Sequence, residues 1–85
     1  MQIDAALVRE QGVTFAVVVV KQAALTWPDR NQLIARYSAI WDGVPVVLLA
    51  QDSRGGGRYY GRPDIVRFLE SVPISALPWK RWGVH

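Results

Sequence analysis

The chain has 85 residues, 51% of them hydrophobic and 20% charged, with a net charge of +3 and no cysteine. That length holds one hydrophobic core and has no room for a second, and the composition lies far from the polar, highly charged range that keeps a chain disordered. Without cysteine there are no disulfides, thiolate nucleophiles, CxxC redox chemistry or thiolate metal sites, so the fold must hold by packing alone.

Met1-Gln2-Ile3-Asp4 lacks the basic region, apolar stretch and small-residue cleavage site of an export signal, so a cytoplasmic location is the expectation. Residues 3–9 and 13–21 read as two β segments around a Gln11-Gly12 turn, a hairpin. In the second segment Val13, Phe15 and Ala16 through Val20 are apolar without alternation, as in a central strand covered on both faces. This apolar run of residues 13–20 is less than half of the roughly 20 residues that a membrane helix needs, so no membrane contact is expected.

Trp27-Pro28-Asp29 carries helix-start chemistry: Pro28 suits the first helical position, and Asp29 either caps the helix or complements its dipole. A helix is predicted over residues 28–42, with Leu33, Ile34, Tyr37, Ile40 and Trp41 on one face. Asp42-Gly43 closes it, glycine being able to adopt the left-handed conformation that satisfies the last carbonyls. A buried strand over residues 44–50 follows, and short links on both sides of the helix predict a right-handed crossover that sets this strand parallel to residues 13–20.

Residues 51–57 form a glycine-rich reversal, and Arg58-Tyr59-Tyr60 a short antiparallel strand. Gly61-Arg62-Pro63-Asp64 opens a second helix by the same proline-plus-acid logic, with Ile65, Val66, Phe68, Leu69 and Val72 as its apolar side, and Pro73 ends it. Proline makes the remainder unsuited to a long helix, so a short 3₁₀ turn and an extended end are expected. The chain therefore reads as α+β, a ββαββα single domain over residues 1–72 with a mixed sheet and two helices, and a Pro/Trp-rich tail over residues 73–85 packed on it. Leu33, Tyr37, Val18 and Phe68 are expected deep in its core.

Residues 43–72 resemble the C-terminal half of thioredoxin-like domains, in which a Val-Pro step opens a strand, an antiparallel strand follows and a helix closes the unit. The resemblance implies a fold that is thioredoxin-like in part, with Pro45 at the position of that family's cis-proline. No residue matches its CxxC motif, so its redox activity does not carry over.

Two stretches stand out as candidate binding residues. Arg54, Arg58, Arg62 and Arg67 are interleaved with glycines and with Tyr59 and Tyr60, and arginine forks grip phosphates while aromatics stack on bases, so an RNA, DNA or other anion surface is one reading. The other is a glycine turn between strands, with the tyrosines packed in the sheet and the arginines as its solvated rim. Trp79-Lys80-Arg81-Trp82 suits a partner surface, yet two tryptophans also dock a tail on its own core. The three glycines lack the second spaced glycine and the Lys-Ser/Thr pair of a phosphate-binding loop.

Catalysis has little to build on. The one imidazole, His85, stands at the end of the sequence, and the seven acidic residues are dispersed at turns and helix starts, so neither a triad nor a metal site is expected, and no cofactor. Four Trp, three Tyr and two Phe on so short a chain leave aromatic surface exposed. The expected function is a small non-catalytic protein-interaction module whose partner is a protein or a second copy of itself, a homodimer; nucleic-acid binding through the Arg54–Arg67 region is the alternative.

Overall fold

Residues 2–10, 12–54 and 56–83 are described by the computed structural model. Strand β1 (Gln2–Glu10) turns back into β2 (Val13–Val19), with Glu10 opposite Val13 across a two-residue connection. Gly12 has φ of +79°, the left-handed region that the tight reversal demands and that glycine enters without penalty. A 3₁₀ helix (Gln22–Thr26) leads into α1 (Arg30–Ser38), and a second 3₁₀ turn (Ala39–Trp41) ends it. Strands β3 (Val46–Gln51) and β4 (Gly57–Tyr60), helix α2 (Pro63–Glu70), a 3₁₀ turn (Ile74–Ala76) and β5 (Trp79–Gly83) complete the chain.

The sheet runs β4-β3-β2-β1-β5, with β2 parallel to β3 and every other pair antiparallel. This is an α+β domain with a five-stranded mixed sheet and two α-helices. One face carries Ile3, Ala5, Ala16, Val18, Val46, Leu48 and Ala50 beneath Leu25, Trp41 and α1. The opposite face carries Ala6, Phe15, Val17, Val47 and Leu49 beneath Ile65, Leu69 and Leu77. Being covered on both sides is why β2 and β3 are continuously apolar: their alternate residues point into two different cores, so neither parity can be polar.

Three local outcomes differ from the sequence reading. The extended end is a fifth strand: Trp79–Gly83 pairs with β1 from Gln2 to Ala6, which makes the tail a structural edge of the sheet. Helix α1 begins at Arg30 and not at Pro28, because the chain from Gln22 to Thr26 is already wound as 3₁₀ and Trp27 continues extended (φ −67°, ψ 138°). The turn after Trp41 uses two left-handed residues, Asp42 (φ 55°) as well as Gly43 (φ 89°), asparagine and aspartate being the side chains that tolerate this region best after glycine.

Of the four residues expected deep in the core, Val18 is fully buried, whereas Leu33, Tyr37 and Phe68 are half-buried. Helix α1 has nine residues, none of them buried, and it shares its face with the 3₁₀ helix and Trp41, so its apolar stripe only partly meets the sheet. Phe68 stacks edge-to-face on Phe15, with centroids 6.2 Å apart, near the hairpin end where Val13 is itself exposed. The Val44–Pro45 peptide is trans, no bond among the described residues being cis, so the cis-proline that the thioredoxin resemblance implies is not found at Pro45.

Helix α2 follows its sequence signals closely. Pro63 takes the first turn, where its missing N–H costs nothing, and Asp64 stands beside it at the positive end of the dipole.

Candidate functional site

The arginine-rich stretch is distributed over a turn, the edge strand β4 and helix α2. Alternation along β4 sends Tyr59 into the core under α2 and Tyr60 into the core under α1, so the adjacent tyrosines face opposite sides of the sheet. Arg54 lies in the turn before β4, held by its backbone N–H donating to Asp52 Oδ1 at 2.9 Å. Arg58 is exposed on the edge strand, and Arg67 is exposed on α2. Arg62 is engaged: its Nε and Nη2 donate to the two carboxylate oxygens of Asp64 at 2.8 and 2.7 Å.

That fork holds the Asp64 carboxyl at about 2, well below the usual carboxylate range, chiefly through the hydrogen bond from Arg62. Because the native value is depressed, the pair contributes to stability above the ordinary carboxylate pKa and loses its contribution as pH falls through about 2. Both partners are solvent-exposed, so the effect is screened by salt. In a carboxyl-detected NMR titration Asp64 should titrate near 2, and Arg62→Ala should return it to the ordinary range; an unchanged midpoint in the variant would remove Arg62 as the cause.

The Trp79–Trp82 stretch is mostly employed in docking. Trp79 Nε1 donates to the Ile74 carbonyl at 2.7 Å, and Trp82 Nε1 to the Ala5 carbonyl at 3.2 Å. Trp82 also meets Trp41 edge-to-face at 5.4 Å, while the Lys80 ammonium lies 4.8 Å from its ring centroid. Arg81 Nε donates to Asp4 Oδ1 at 3.2 Å.

A different site emerges where β2 ends and α1 begins. Val19, Val20, Lys21, Ala24, Trp27, Leu33 and Tyr37 line a mainly apolar hollow of about 400 Å³. Trp27, 46% exposed, is the most exposed large apolar side chain among the described residues. Its position follows from the local fold. Ala24 and Leu25 are buried and anchor the 3₁₀ helix, and the extended backbone at Trp27 then carries the indole off the core.

The turn is held from both ends. The Trp27 carbonyl accepts from the Arg30 N–H at 3.2 Å, and the Asp29 carbonyl accepts from Gln32 and Leu33 at 2.9 and 3.1 Å. Arg30 Nη1 donates to the Leu25 carbonyl at 2.6 Å, and its guanidinium lies 4.0 Å from the Tyr60 ring centroid. The Tyr60 hydroxyl donates in turn to Asn31 Oδ1 at 2.8 Å, which ties the start of α1 to β4. An exposed indole on a turn with this many fixed points presents its surface without a large ordering cost on contact.

A larger hollow of about 560 Å³ lies beyond α2, bordered by Gly57, Tyr59, Leu69, Glu70, Val72 and Ile74 and, of the candidate arginines, by Arg58. It presents no exposed large apolar side chain. The Tyr59 hydroxyl is buried without a hydrogen-bond partner among the described residues, and burial raises the phenol pKa. Trp41 Nε1 is likewise buried and unpartnered.

Sequence reasoning used Trp27 only as a helix-start marker. The signal that could have singled it out is its place: a tryptophan directly before Pro-Asp falls outside the helical stripe that would bury it. Among the described residues no group of three or more His, Asp or Glu could hold a metal ion, and no helix is long and apolar enough to cross a membrane. His85 lies outside the described residues.

The fold and this hollow define a small α+β domain with a mixed sheet, covered on both faces, that offers one exposed tryptophan beside an apolar recess. No family model, curated protein or solved structure matches the chain.

Proposed function

We propose that this chain is a small non-catalytic protein-interaction module that self-associates through the surface around Trp27. The observation that carries this reading is the coincidence of a 46% exposed indole with an apolar hollow of about 400 Å³ on the same patch. Tryptophans at the centre of a contact are the commonest source of large binding energies, and an apolar recess beside one gives a partner something to fill.

The arginine-rich stretch gives less support to a nucleic-acid surface. Arg62 is engaged by Asp64, and Arg58 and Arg67 belong to an edge strand and to a helix over one sheet face.

Sedimentation velocity across low to high micromolar concentration tests the proposal. The wild-type chain should shift from monomer toward dimer, and Trp27→Ala should weaken association by roughly 30-fold or more, the loss of about 2 kcal/mol at a central tryptophan. A wild-type chain that stays monomeric at high micromolar concentration defeats the reading.

A further inference from the structure

Knob and hole lie on one patch. Trp27 is 46% exposed and forms one wall of a hollow that Val20, Ala24, Leu33 and Tyr37 also line, so a second copy turned by a two-fold axis would bring its own indole toward this recess, and the reverse. Isologous contacts have this form: one surface is complementary to itself, and each contact between residues i and j occurs twice. Recesses of roughly 300–1,000 Å³ accept drug-sized molecules, so one of about 400 Å³ admits an indole.

One charge stands at the rim of the hollow and one of opposite sign close to Trp27 in the chain. Lys21 borders the hollow and is exposed; Asp29, two residues beyond Trp27, is exposed as well. The ion pairs among the described residues are Arg62–Asp64 and Arg81–Asp4, so Lys21 and Asp29 are both outside them. Arg30, the other cation at this turn, is occupied by the Leu25 carbonyl and the Tyr60 ring. A Trp27 that crosses into the facing recess brings its own Asp29 toward the opposite rim, where Lys21 stands.

From this we infer that the partner at the hollow is a second copy of this chain, joined about a two-fold axis, with Trp27 of each copy seated in the recess of the other and Lys21 of each paired with Asp29 of the other. The inference rests on the self-association reading and adds its geometry. Opposite charges across an interface mainly fix register and select the partner, and here they select a copy in one orientation.

The test is charge exchange between chains, on the 85-residue chain with Lys21→Glu and Asp29→Lys. Both positions are exposed, so each variant should keep the circular dichroism spectrum of the wild type. Each variant alone faces two like-charge contacts in its homodimer and should associate roughly tenfold more weakly than wild type in sedimentation. An equimolar mixture of the two restores an opposite-charge pair at both contacts, and association should recover to about the wild-type level. Recovery in a chain carrying both substitutions, without recovery in the mixture, would mean that the two residues pair within one chain and would overturn the inference. So would a mixture no tighter than the single variants, while Trp27→Ala still abolished association; the self-association reading would then stand alone. Wild type that remains monomeric throughout removes both.

Discussion

Leu48→Ala should lower the unfolding free energy by about 2–5 kcal/mol, the range for truncating a fully buried leucine that leaves a cavity. Leu48 is completely buried, at the middle of β3, the strand between the parallel partner β2 and the antiparallel partner β4. It lies opposite Val18 on one side and Tyr60 on the other, and its side chain belongs to the core beneath α1 and Trp41. Strands hydrogen-bonded on both sides cannot shift to close a gap, so little of the cavity should relax. A domain of this size has a total stability of roughly 5–15 kcal/mol, so the variant should unfold at much lower urea with an unchanged slope. The same substitution at half-buried Leu33 should cost less. A Leu48→Ala midpoint no lower than that of Leu33→Ala would contradict this packing.

Trp82→Ala should be the second most damaging change, toward the lower end of the roughly 3–5 kcal/mol typical of buried aromatic truncations, since Trp82 is half-buried. The indole does three things from an edge strand. It stacks edge-to-face on Trp41, it donates a hydrogen bond to the Ala5 carbonyl, and it lies under the Lys80 ammonium. Without it, β5 keeps its backbone ladder to β1 but loses its grip on the α1 side, and the first half of β1 becomes an unprotected edge. Thermal unfolding should report the loss, and amide exchange at Ile3 and Ala5 should accelerate more than at Val17 or Val47. Uniform acceleration across the sheet would show instead that β5 unfolds only with the whole domain.

How far sequence led depended on the range of the interactions that decide each feature. The hairpin, the central character of β2 and β3, the reversal before β4 and the start of α2 were all legible, because each is written in adjacent residues: Gly12 where φ must be positive, valine runs too apolar for a one-sided sheet, and Pro63-Asp64 at a helix start. The arginine stretch was legible only as composition. Whether its side chains converge depends on strand alternation and on the Arg62–Asp64 fork, and these put Tyr59 and Tyr60 into different cores and occupied Arg62.

By itself, then, the sequence determined the class of the fold and where its strands and helices turn, since local propensity and the burial period are properties of neighbouring residues. Tertiary structure alone decided that the tail is the strand beside β1, because Trp79–Gly83 pairs with Gln2–Ala6 at the other end of the chain and no short-range pattern records such a partner. It alone decided as well that Trp27 stands in solvent while Trp41 is buried. The two indoles flank the same helix, and what separates them is that the sheet and Trp82 close over one, while the extended backbone after buried Ala24 and Leu25 carries the other off the core.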